Sequence, residues 1–227
     1  MKLSKMCGGA LFCLNTLALC SFHMTHDTSM VIEALAHGGR FSYYPFVPGT
    51  SVYSYLWFGS DIPSHPPPNV PRQSTPVLAP AQNSEAYFVK LAGVSVGANR
   101  VSDATPTMFR RTEHGADGCV VDIGTRMTSF IHAAYVHIDH APAPHHDILP
   151  SMMLYFENGA WLRVMLEHVF MPLVVSGPHY QCYGFVSSTD LTVIGARQQV
   201  NHRFIFDLHD TIPIMSFNPE DCHLEGA

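Results

Sequence analysis

Residues 119–130 read CVVDIGTRMTSF, an apolar run that ends on an aspartate and a glycine turn. Cys119, Val120 and Val121 are buried-strand residues that run directly into Asp122, with Ile123, Gly124 and Thr125 next. A carboxylate at the end of an apolar run is costly unless a neighbour hydrogen-bonds it. On these residues alone two readings stay open: a strand end closed by a turn aspartate, or a carboxylate held for chemistry. Gly124 and Thr125 suit the turn under either, since glycine permits positive φ.

Outward from this stretch the chain reads as short strands and turns. Upstream, RFSYYPF (40–46) and SYLWFG (54–59) are aromatic runs, the second closed by Gly59. Residues 63–80, PSHPPPNVPRQSTPVLAP, predict an extended surface segment, because proline cannot donate to a sheet ladder. Tyr87, Val89, Leu91, then Val94 and Val96 alternate about Gly93, which predicts a strand with a bend. Downstream, Met127, Phe130, Ile131, Ala134, Tyr135 and Ile138 fall at helical spacing and predict a short helix. MMLYFENGAWLRVML (152–166) predicts a hairpin about Asn158-Gly159. The stretch from Leu191 predicts a strand ending at Gly195, a tight polar turn or single helical turn, then two more strands. The sum is an all-β domain with one or two short helices.

Composition bounds the function. Of 227 residues, 47% are hydrophobic and 13% charged, enough for a real core and unlike a disordered chain. The net charge of -6 and the lack of a basic patch argue against a nucleic-acid partner. Fifteen histidines would turn the net charge positive at acidic pH. At the N-terminus, Met1-Lys2-Leu3-Ser4-Lys5 precedes an uncharged run from Met6 to Phe22, with Ala18-Leu19-Cys20 as a cleavage box. Residues 1–24 therefore read as a secretory signal peptide or as a degenerate leader, the remnant of a buried element. The run is short for a membrane span. A working leader implies secretion or the vacuole. Cys7, Cys13 and Cys20 lie in the run, while Cys119, Cys182 and Cys222 are scattered with no Cys-x-x-Cys. That spacing indicates neither a zinc knuckle nor a redox pair.

Three pieces in order resemble the plant pepsin-like aspartic proteases of the nepenthesin type. The likeness is to their C-terminal lobe, shared with the xylanase inhibitors of cereals. They are GGRFSYYPF with SYLWFGSD; TPVLAPAQNSEAYFVKLAGVSVGANRV with GCVVDIGTRMTSFIHAAY; and LTVIGARQQVNHRFIFDL closing at Met215-Ser216-Phe217 and Cys222. The resemblance implies one lobe over residues 30–227, a β-rich, six-stranded-barrel-like domain. It implies that Asp122 is the lobe's catalytic aspartate, on a loop of Ile123, Gly124 and Thr125 threaded by the strand Val193-Ile194-Gly195. Thr125 would hydrogen-bond the outer oxygen of the carboxylate. The implied chemistry is endopeptidase action without a cofactor, two carboxylates sharing one proton and activating a water.

The chain departs from that pattern in three places. The family's other aspartate sits in an Asp-Thr-Gly-Ser motif, which residues 1–227 do not contain; Asp27-Thr28-Ser29 lacks the glycine and reads as a linker. Ile123 stands where the family has a hydroxyl that joins the two active-site loops, and a donor left alone there costs about 1–3 kcal/mol. By the resemblance, Tyr44 takes the place of a cysteine that pairs with Cys222, and Cys182 has lost its partner. Each missing bridge typically removes about 2–5 kcal/mol. These departures point to a truncated protein that is inactive alone.

Other clusters carry blander readings. His137, His140, His145 and His146 with Asp139 and Asp147 are metal-capable types, but two prolines among them favour a solvated loop, so no metal is assigned. Tyr53, Tyr55, Trp57, Tyr183 and Phe185 read as packing. Two functions follow: a peptidase lobe acting on a protein or peptide substrate, or a non-catalytic inhibitor that binds a glycoside hydrolase. In a third arrangement a homodimer would bring two copies of Asp122 together, which Ile123 disfavours.

Overall fold

The structure is a computed structural model, which describes residues 39–45, 55–62, 70–78, 86–112, 117–141, 150–174, 179–209 and 211–220. Sixteen strands lie among the described residues: β1 (Arg40–Tyr44), β2 (Tyr55–Phe58), β3 (Gln73–Leu78), β4 (Tyr87–Val89), β5 (Leu91–Val96), β6 (Asn99–Arg100), β7 (Cys119–Asp122), β8 (Thr128–Ile131), β9 (Met152–Phe156), β10 (Trp161–Val164), β11 (Phe170–Val174), β12 (His179–Tyr183), β13 (Phe185–Ser188), β14 (Thr192–Gly195), β15 (His202–Asp207) and β16 (Ile214–Pro219). One helix, α1 (His132–Asp139), and single α-turns at Leu166–Val169 and Ala196–Gln199 complete the fold with two short 3₁₀ turns. The strands form a ten-stranded sheet in the order β13-β8-β14-β7-β4-β3-β16-β15-β1-β2, a four-stranded sheet β10-β9-β5-β6, and a β11-β12 pair.

Aromatic residues at every second position explain why β1 and β15 face the core together. Phe41 stacks on Phe206 at 4.9 Å, Tyr43 on Phe204 at 5.4 Å, and Phe204 on Phe217 at 5.7 Å. All five are buried. Residues one position off turn to the other face of the sheet, as the two-residue period requires. There Arg203 forms a buried ion pair with Glu220 and lies 4.4 Å over the ring of Trp57. The Asn158-Gly159 hairpin forms as predicted. Phe156 N–H donates to Ala160 O and Gly159 N–H to Phe156 O, with Gly159 at φ 88°, a three-residue loop closed by a left-handed glycine.

Two expectations need correction. The helix does not begin at Met127: residues 128–131 form β8, and α1 starts at His132. Phe130 and Ile131 share helical spacing with Ala134 and Ile138, but β8 is claimed on one side by β13 and on the other by β14. Tertiary pairing overrides the local period. Within the Pro-rich stretch, Gln73–Leu78 is an interior strand between β16 and β4. Val77 N–H donates to Pro213 O, so the missing N–H of Pro76 looks away from β16, where β4 pairs only residues 77 and 78. Proline is tolerated there because no ladder bond is lost.

Candidate active site

The site is built by one uncommon crossing. β7 and β8 are joined by residues 123–127, yet they are not neighbours: β14 lies between them, parallel to β7 and antiparallel to β8. Chains seldom thread a loop in this way. The register sets Gly195 opposite Asp122 and Ile194 opposite Val121. Just past β14, Ala196 N–H donates to Thr125 O at 2.7 Å and Arg197 N–H to Arg126 O at 3.0 Å. The loop is thus closed around the strand by backbone bonds.

Both oxygens of Asp122 are engaged. Gly124 N–H donates to Oδ1 at 2.8 Å, and Thr125 Oγ1 donates to Oδ2 at 2.5 Å. The carboxylate is half-buried, as are Ile123, Gly124 and Thr125. Charge-assisted bonds of this kind offset the cost of placing a carboxylate at the end of a buried strand. Each oxygen keeps a further lone pair that can accept another hydrogen bond. Ile123 packs against the lobe's own hydrophobic core.

The supporting shell is polar and buried, and it is the part that sequence reading missed. Thr128 Oγ1 accepts from Gly195 N–H at 3.0 Å. Gln198 accepts from Thr128 N–H at 3.0 Å and donates to His168 O at 2.7 Å and Gly184 O at 2.9 Å. Gln199 accepts from Tyr43 Oη at 2.6 Å and donates to Ile194 O at 2.7 Å. Both glutamines are essentially without solvent exposure. A polar Gln-Gln pair between the apolar Ile194 and Val200 was the available signal, since amides in the core must be bonded. Val193, Ile194 and Gly195 lie together along the threaded strand.

Other candidates are dispersed. His137 Nδ1 lies 3.9 Å from Asp103, and His140 Nδ1 approaches Val136 O at 2.6 Å. Among the described residues no cluster of three His, Cys, Asp or Glu is placed to hold a metal, and His145, His146 and Asp147 lie outside them. Phe185 is buried and Tyr183 half-buried, their rings 4.7 Å apart. Cys119 and Cys182 are not joined to each other, and burial pushes the Cys119 thiol pKa well above its ordinary value. Tyr44 Oη donates to Glu220 O at 3.1 Å, two residues ahead of Cys222, which lies outside the described residues, as do the leader and Tyr53. No described helix is long and apolar enough to cross a membrane.

The family model Xylanase inhibitor C-terminal matches residues 86–145 and 139–212, more than half of the chain and including the whole Asp122 loop with its threading strand. The chain belongs to this xylanase inhibitor C-terminal family. The lobe is also similar to plant aspartic proteases. It is 27% identical over 172 residues to aspartyl protease family protein 2 of Arabidopsis thaliana, covering 65% of this chain and 34% of that one. It is 28% identical over 210 residues to the Arabidopsis thaliana protein Aspartic protease in guard cell 2, covering 82% and 42%. The chain therefore spans well under half the length of these curated relatives. Among solved structures it resembles edgp (TM-score 0.61, 16% identity, 80% of this chain and 54% of that one) and basic 7S globulin from soybean (TM-score 0.57, 18% identity, 81% and 53%). At those identities the likeness is one of fold: a plant pepsin-like C-terminal lobe.

Proposed function

We propose that the lobe supplies Asp122 as one of the two carboxylates of an aspartic endopeptidase site, and that the 227-residue polypeptide tested alone does not hydrolyse peptides. The observation that carries this reading is the Asp122 loop itself: a half-buried carboxylate with Gly124 on one oxygen and Thr125 on the other, closed around a threading strand. Hydrolysis requires an ionised carboxylate to take a proton from the attacking water while an acid opposite protonates the scissile carbonyl oxygen. Asp122 can fill either role but not both at once. The second carboxylate comes from a lobe bearing Asp-Thr-Gly-Ser, a motif that residues 1–227 lack.

The test mixes the chain with a separately produced lobe carrying that motif and follows acid cleavage of a denatured protein substrate. Cleavage that appears only on mixing and is lost in Asp122→Asn supports the reading; a mixture in which Asp122→Asn cleaves equally well refutes it. One observation favours a second reading, a non-catalytic protein that binds a glycoside hydrolase. Ile123 turns into its own core instead of offering a hydroxyl to a second loop. Dose-dependent inhibition of a xylanase by the folded chain would select that alternative.

A further inference from the structure

We infer that Tyr43 and Gln199 are a positioning pair that locks the peptide unit opposite Asp122. The inference rests on the reading of Asp122 as the active-site carboxylate. The carbonyl of Ile194 and the N–H of Gly195 belong to one peptide plane, and each end of that plane is gripped by a side chain. Gln199 Nε2 donates to Ile194 O at 2.7 Å, and Gly195 N–H donates to Thr128 Oγ1 at 3.0 Å. Gly195 is the residue in register with Asp122, so the tilt of this plane fixes how closely the threading strand meets the Asp122 loop.

Gln199 cannot hold the plane unless its own orientation is fixed, and Tyr43 does this. Tyr43 Oη donates to Gln199 Oε1 at 2.6 Å across 156 residues of sequence. The ring is clamped by Phe204 at 5.4 Å and Phe206 at 5.9 Å. An apolar pair at 43 and 199 would fill the same volume without dictating an orientation. A buried phenol and amide are tolerated only when mutually bonded, which makes them specifying groups as well as filling ones. Burial first, then the nearby charge of Asp122 and the Tyr87 phenol, push the Tyr43 pKa well above its ordinary value. Tyr43 thus remains a donor at neutral and acidic pH.

Amide hydrogen exchange of the full chain tests this, comparing Tyr43→Phe with the double variant Tyr43→Phe/Gln199→Leu. In Tyr43→Phe the amides of Gly124 and Gly195 exchange about tenfold faster, the loss of roughly one buried hydrogen bond, while that of Leu154 in the four-stranded sheet is unchanged. The double variant removes the unpaired Gln199 Oε1 but also the donor to Ile194 O, so its melting temperature stays lowered and Gly124 and Gly195 stay deprotected. Unchanged exchange in Tyr43→Phe, or recovery of protection together with stability in the double variant, overturns the inference and leaves the pair a packing element. The readout needs no catalysis, so a failure of the mixing experiment above would count against the peptidase reading and not against this pair.

Discussion

Replacing Gly195 with alanine places a methyl group where the Asp122 loop already lies. A Cβ at this position meets Met127 C at 2.5 Å, Met127 O at 2.7 Å and Thr125 O at 2.8 Å, all backbone atoms that no rotamer change can move. The backbone of Gly195 sits at φ -81° and ψ 167°, which alanine adopts freely, so the whole effect is the close approach. Ordinary carbon contacts lie at about 3.5–4.0 Å, so the loop must retreat by roughly 1 Å. Overpacking of this kind costs about 1–3 kcal/mol. The retreat also stretches the bonds Ala196 N–H to Thr125 O and Gly195 N–H to Thr128 Oγ1, at about 1 kcal/mol each. The sum is about 3–5 kcal/mol, a large part of the stability of an ordinary domain. Urea unfolding followed by circular dichroism measures it, and the melting temperature should fall by about 6–20 °C. A loss below about 1 kcal/mol would refute the threaded crossing as the constraint at this site.

Three further outcomes follow from the same contacts. Gln198→Leu strands Thr128 N–H, His168 O and Gly184 O, and denaturant unfolding should register a loss of about 2–4 kcal/mol. Arg203→Met leaves Glu220 buried without its ion-pair partner and should cost about 3–5 kcal/mol, while the double change Arg203→Met/Glu220→Leu recovers most of that loss. Burial chiefly, opposed by the bond to Val200 O and reinforced by His168, holds the His202 pKa down at about 4 from its ordinary 6.5. The unfolded chain therefore binds a proton that the folded lobe refuses. Stability is full above about pH 6.5 and falls as the pH drops towards 4, by about 3 kcal/mol for this residue. His168 acts in the same direction. Urea midpoints measured across this range should decline, and His202→Phe should flatten the decline.

Sequence reading reached the strand ending at Asp122, the Asn158-Gly159 hairpin, the bend at Gly93 and the turn after Gly195, because local signals carry each of them. Turn residues, period-two alternation and a glycine at a bend act within a few residues. What it missed is long-range. β8 shows helical spacing and becomes a strand only because β13 and β14, more than fifty residues later, pair with it. The strand at Gln73–Leu78 hides behind Pro76, whose harmless orientation depends on which edge β16 occupies. At the site, the family resemblance pointed to Asp122 and its loop neighbours. The supporting residues Tyr43, Thr128, Gln198 and Gln199 are polar groups whose purpose appears only when the chain has brought them together.

If Asp122 is one of two carboxylates and its partner lies on another lobe, the chain alone is inactive. The direct measurement is acid cleavage of a denatured protein by the purified, demonstrably folded 227-residue chain, beside its Asp122→Asn variant. Neither should cleave. Cleavage by the parent chain that disappears in Asp122→Asn would contradict that expectation, because a second carboxylate would then have to come from the polypeptide itself or from a second copy.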